Sequence, residues 1–165
     1  HFNFLSATSL DSAFEGCDFT NTVQTPISIS MHQNTNCNDL FRAASRPRAI
    51  YITGSNNVTN WDEAFLSNSR LIKLEADMSG GTSFTNTFVA CDSLQVVDIP
   101  GIAHNVDFSD CHGMTKEVLD GLFDSLATVG GAGSGTKTID VSGCLGASTC
   151  DTTIATNKGW TVTTS

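Results

Sequence analysis

Charge is scarce in this chain, and what there is leans one way. Eight Lys and Arg face 17 Asp and Glu, a formal charge of −9. Nucleic-acid binding needs clustered cations against phosphates, so that class is disfavoured. No apolar run approaches the roughly 18 residues of a membrane-spanning helix, which argues against membrane insertion. No C-x-x-C pair occurs and the His residues do not gather near the Cys residues, which speaks against zinc. The D-x-[DN]-x-[DN]-G calcium loop is missing as well. With 39% hydrophobic residues and much Ser, Thr, Asn and Gly, the composition suits short strands and many turns rather than a helical bundle. The length fits one domain, residues 1–165. The chain opens at His1 rather than Met, and we read it as a segment of a longer polypeptide.

What the chain does have is a repeat. Phe14, Phe41, Phe65 and Phe88 are spaced 27, 24 and 23 residues apart. An apolar residue stands four positions before each: Leu10, Cys37, Trp61 and Phe84. A small or polar one stands three after: Cys17, Ala44, Asn68 and Cys91. In the last three copies an apolar pair follows at offsets nine and eleven: Ile50 and Ile52, Leu74 and Ala76, Val97 and Ile99. One short strand-like run per two dozen residues marks a stacked solenoid, in which no copy buries its apolar face alone. The pattern predicts a parallel sheet and a spine of stacked Phe rings. A single helical turn is expected around each Phe, putting Trp61 and Phe65 on one side. The first copy is degenerate, with its strand displaced to Val23 or to Ile27-Ser-Ile29.

The repeats occupy about residues 10–104, and residues 105–165 differ. Val118, Leu122 and Leu126, with Leu119 and Phe123 beside them, predict an amphipathic helix with Thr115 as N-cap and Glu117 in its first turn. A glycine-rich turn, Gly130 to Gly135, separates it from a strand in KTIDVSGC. Val106 to Cys111 mirrors Ile139 to Cys144, which suggests neighbouring coils with adjacent cysteines. A short helix, a stop at Gly159 and a strand from Trp160 then complete a helix-strand cap over the last coil. Six cysteines allow 15 pairings. We expect mostly free structural thiols, with Cys144–Cys150, which encloses only five residues, as the one candidate disulfide.

The spacing Phe-x-x-Cys-x-x-Leu-x-x-Val-x-Ile from Phe88 to Ile99 resembles the BspA-like leucine-rich repeat of microbial surface proteins. The ending TKTIDVSGCLGASTCDTTIATNKGWTVTTS resembles the C-terminal block of leucine-rich-repeat proteins of bacteriophages, prophages and some bacteria. The resemblance implies a right-handed α/β solenoid with short helices or turns opposite a parallel sheet. It also implies placement on a virion surface or outside the cell, and no enzymatic activity, cofactor or metal site. Copies one and two depart from the pattern, with leucines replaced and Pro47 set among arginines.

Three local motifs invite chemistry and fail on spacing. GGAGSGTK has Thr136 between Gly135 and Lys137, and it follows a helix rather than preceding one, unlike a phosphate loop. Asp110-Cys111-His112 puts neighbours of an extended chain on opposite faces, so the thiol lacks a base. Asp77, Asp98, Asp107 and Asp140 fit turns better than calcium. Five basic residues (Arg42, Arg46, Arg48, Arg70 and Lys73) fall in one stretch, either as solvated turns or as a patch for an anionic partner.

The expected function is therefore recognition by a preformed face. Strand alternation puts Tyr51, Lys73, Glu75, Gln95 and Asp98 on the exposed side of the sheet. The expected role is that of a phage virion module in a tail fibre, baseplate or head appendage. Its partners would be a bacterial surface receptor, glycan or protein, or other virion proteins in an oligomeric assembly. The alternatives are an architectural spacer and a bacterial surface adhesin.

Overall fold

Residues 1–133 and 137–165 are described by a computed structural model. They form a parallel-strand β-solenoid of about seven turns. Strands β1 (Phe2–Phe4), β2 (Ile27–Met31), β3 (Ala49–Thr53), β4 (Lys73–Ala76) and β5 (Val96–Asp98) make one five-stranded parallel sheet in chain order. The register aligns Ile27, Ile50, Leu74 and Val97, and Ile29 with Ile52 and Ala76, so the inward rows meet inward rows. The displaced strand of the first copy is Ile27–Met31, and β1 was not expected from the repeat.

The phenylalanines form the predicted column. Phe14–Phe41, Phe41–Phe65 and Phe65–Phe88 have ring centroids 5.1, 6.1 and 5.9 Å apart and lie within 15° of parallel. Phe108 extends the stack, 4.4 Å beyond Phe88.

The segment carrying each Phe is not a helical turn. Ala13, Glu15 and Cys17 close turns onto carbonyls three residues back, while Ser12, Phe14 and Gly16 donate to Asn38, Leu40 and Arg42 of the next coil. The same alternation recurs around Phe41 and Phe65. A helix would keep these N–H groups to itself; the ribbon of turns spends half of them on its neighbour. It requires left-handed backbone two residues either side of each Phe: Ser12 and Gly16, Asp39 and Ala43, Glu63 and Ser67, Asn86 and Ala90, all with φ between 51° and 65°. Only one of these eight positions is Gly. Ala43, exposed with φ of 51°, should gain about 1 kcal/mol on Ala43→Gly, and Gly16→Ala, with open space around the new Cβ, should lose about as much. Urea unfolding of the pair checks both signs.

A second ladder runs along the outer edge. Thr35, Thr59 and Thr82 each donate N–H and hydroxyl to the carbonyl of the preceding threonine in the row Thr8, Thr35, Thr59, Thr82. Ser9, Asn36, Asn60 and Ser83 bridge beside them.

After β5 the architecture changes. Helix α1 (Lys116–Ser125) packs beside β5, where a sixth strand would lie, and Gly101 donates to Ser125 at 2.9 Å. Strands β6 (Val106–Asp107), β7 (Lys137–Asp140) and β8 (Trp160–Thr163) form a separate three-stranded parallel sheet. Val106 pairs with Ile139 and Asp107 with Asp140, as the mirrored motif anticipated. Among the described residues helix is confined to α1 and the four-residue α2 (Thr153–Thr156). Thr115 sits at the N-cap but makes no capping bond; its hydroxyl goes to Glu117 at 2.8 Å instead. Lys158 reaches the other end of α1, donating to the Leu126 carbonyl at 3.1 Å and to that of Asp124, where a cation offsets the helix dipole. Trp160 is buried and its indole donates to Ala127 at 2.9 Å. The glycine turn expected over 130–135, and with it the rejected phosphate-loop motif, runs into residues 134–136, outside the described residues.

Candidate recognition face and the cysteine column

The outward side of the five-stranded sheet carries two rows. Ser28, Tyr51, Glu75 and Asp98 align in one, and Lys73 and Val96 in the other, where the register partner Ala49 is buried. The structure thus brings four of the five expected face residues together. Lys73 holds the centre: its Nζ lies 2.7 Å from Glu75 Oε1 and 5.0 Å from the Tyr51 ring centroid. The bond to Glu75 and, after it, that to Tyr51 raise the Lys73 pKa above its ordinary value, so the ammonium is charged throughout the neutral range. The cation also separates Glu75 from the alternative of facing Asp98 alone, a like-charge pair across the strands.

Gln95 is the correction. It precedes β5, its N–H donates to Ile72 at 2.9 Å, and its side chain lies beside Gly113 in the following coil. Val96, 44% exposed, takes the place expected for Gln95. The signal was present: Lys73 stands eight residues after Phe65, and Val96 stands eight after Phe88. Extending the inward offsets of nine and eleven to the outward eight and ten would have chosen it.

Three positions after Phe65, Phe88 and Phe108, and after Val141 in the following coil, stands a column of hydrogen-bond donors, which Ala44 after Phe41 does not join. Cys91 donates to the Phe65 carbonyl at 3.1 Å, Cys144 to Phe108 at 3.3 Å, and Cys111 to Phe88 at 3.8 Å. Asn68 does the same with its amide, reaching Phe41 and Phe65 at 2.8 Å each. The bridge considered between Cys144 and Cys150 is absent, because the two thiols donate to different carbonyls, Phe108 and Ala147, and all six cysteines are free. Burial pushes the Cys37, Cys91 and Cys144 thiols up to about 12 and Cys111 higher still. Thiolate is the reactive form. Iodoacetamide should therefore modify the partly exposed Cys17 and Cys150 in the native protein, and the other four only after unfolding, as peptide mass mapping would show.

Asp110, Cys111 and His112 do not assemble. Cys111 is buried on Phe88, His112 pairs with Asp92 of the preceding coil at 3.0 Å, and Asp110 accepts from the Ala90 N–H. Asp77, Asp107 and Asp140 each accept the N–H two residues on, as turn aspartates do. No helix among the described residues is long and apolar enough to cross a membrane. The fold and its open face define a parallel β-solenoid with a preformed side-chain array. No family model matches the chain, and neither a curated protein nor a solved structure matches it.

Proposed function

We propose that the chain is a non-enzymatic recognition module of the leucine-rich-repeat type, acting through the outward face of β2 to β5. The observation that carries this is the Tyr51–Lys73–Glu75 cluster, three side chains tied to one another on a sheet whose backbone is held by its neighbours. Ordering such groups in advance lowers the entropy lost on binding. The resemblance at Phe88 to Ile99 and over the last thirty residues adds a right-handed coil, a C-terminal helix-strand cap, and a setting on a virion or outside the cell. In that setting the module serves a phage tail fibre, baseplate or head appendage and adheres to a host receptor, glycan or protein, or to a neighbouring virion protein.

The test is binding of the purified chain to host cells. Tyr51→Ala combined with Glu75→Lys should weaken it about tenfold or more, since loss of a central anchor and reversal of a charge each cost over 1 kcal/mol. Unchanged binding removes the face from the proposal. A second reading, an architectural spacer, draws on the open end of the sheet. There Phe2 on the edge strand β1 and Leu5 in the turn just after it are 39% and 51% exposed, a combination usually covered by another protein surface. Finding the sheet face buried between subunits of an assembled particle favours the spacer over adhesion.

A further inference from the structure

Arg46 and Arg70 occupy the same place in adjacent coils, five residues after Phe41 and Phe65. Coils stack about 4.8 Å apart, and like charges directly opposite one another destabilise a sheet. One of the two is answered. Arg46 Nη2 lies 2.9 Å from Asp18 Oδ2, and Ser45 donates to the other oxygen of that carboxylate at 2.9 Å. Arg70 has no carboxylate within ion-pair distance among the described residues. Of the other basic residues of the stretch, Arg42 pairs with Asp39 and Glu63 and Lys73 with Glu75, while Arg48, which lies outside the groove, has no ion pair among the described residues either.

The two arginines, with Ser45, Ser67 and Ser69, line a groove of about 340 Å³. Ser67 and Ser69 are exposed, and neither hydroxyl is engaged among the described residues. The row four after each Phe reads Asp18, Ser45, Ser69, Asp92. Carboxylates thus close both ends of the serine pair, and Asp92 is itself engaged by His112.

We infer that this groove binds a single anionic substituent, a phosphate monoester, sulfate or carboxylate, carried on an otherwise uncharged saccharide. Two guanidiniums lining one groove can each donate a charge-assisted bond to one anion, which offsets their mutual repulsion. The free hydroxyls supply neutral donors beside it. A nucleic acid presents a charge every few ångströms and would need the cationic row to continue, whereas it stops at two. The overall charge of −9 repels anions at long range, but at about 0.1 M salt the Debye length is about 10 Å, so distant carboxylates are screened and contact with the arginines is not. Asp18 competes for Arg46 and sets how tightly the anion is held. This deepens the recognition reading by naming the ligand chemistry and a second surface, away from the sheet face.

Titration of ¹⁵N-labelled protein with glucose 6-phosphate, glucose 6-sulfate and glucuronate, against glucose, tests it. Amide shifts confined to residues 43–46 and 67–70 are expected with the charged sugars and none with glucose, and the three arms rank the anions. Arg70→Ala should weaken binding about tenfold, and Asp18→Asn should tighten it about threefold. Lys116→Ala, at the far end of the solenoid, should change nothing. Arg70 in the groove and Asp18 beside Arg46 are both exposed, so the variants should retain the native melting curve. No local shifts at tens of millimolar sugar, equal binding by Arg70→Ala, or tighter binding of a short oligonucleotide at the same amides would overturn the inference. Groove shifts without any host-cell binding uphold the anion site and remove the adhesion reading. Cell binding that survives both Arg70→Ala and excess glucose 6-phosphate, with no local shifts in the groove, leaves adhesion through the sheet face standing and sinks the saccharide groove.

Discussion

Phe65→Ala is expected to lower the unfolding free energy by about 3–5 kcal/mol, the range for emptying a buried aromatic site. Phe65 is fully buried at the middle of the column, stacked on Phe41 and Phe88 and beside Trp61 at 6.2 Å. The cavity cannot collapse easily. Its floor and roof are ribbons hydrogen-bonded coil to coil on both sides, so closing the gap in one coil would strain the N–H bonds from Phe41 to Ala64 and from Phe65 to Thr87. A domain of this kind holds only about 5–15 kcal/mol in total, so the variant should melt far below the parent or fail to fold. Phe65→Leu, which keeps most of the apolar volume, should lose much less. Urea unfolding followed by Trp fluorescence, with Trp61 against the site as reporter, reads the difference directly. A loss under about 1 kcal/mol for the alanine variant would mean that the rings merely lie in line and do not support one another.

Asn68→Asp changes one heavy atom and should cost about 3 kcal/mol or more at neutral pH, because an ionised carboxylate would be buried against main-chain carbonyls. The Asn68 amide now donates to the Phe41 and Phe65 carbonyls, and the side chain is 1% exposed. Its own Oδ1 has no partner. The new carboxyl would be neutral in the fold at a pH where it ionises in the unfolded chain, so its folded pKa is raised. The folded form then binds the extra proton, and stability falls as pH rises from the ordinary carboxylate range near 3.9 upward through the raised value. Below that range the protonated group can donate to a carbonyl as a thiol does, and the variant should approach the parent. Asn68→Cys, which matches Cys91, Cys111 and Cys144 in their columns, removes the unpartnered oxygen and should stay within about 1 kcal/mol of the parent at all pH values. A pH-independent loss for Asn68→Asp would sink the account of this column as one of donors.

Much of the fold is legible in the spacing because a solenoid repeats its environment. Phe41, Phe65 and Phe88 meet the same neighbours at the same offset, so one pattern reports on all of them. Ile50, Leu74 and Val97 are legible for the same reason, and so are Tyr51, Glu75 and Asp98 on the opposite side of the strands. Reading stopped where the repeat carries no distinctive side chain. The turn ribbons depend on left-handed backbone at Asp39, Ala43, Glu63 and Ser67, residue types that would as readily occupy a helical turn. Gln95 failed by one position because a three-residue strand has too few alternations to pin its own phase.

The spacing of Phe, apolar pairs and the helix near the C-terminus settled the stacked, parallel character of this chain before any coordinate, since burial in a period of two dozen residues needs identical neighbours. Pairings between coils lay beyond it. The meeting of Arg46 with Arg70, the reach of Asn68 and the cysteines to carbonyls of the preceding coil, and the replacement of a sixth strand by α1 all join residues twenty or more positions apart. Coil lengths of unequal size set which of these groups come opposite one another, and only the folded backbone resolves that phase.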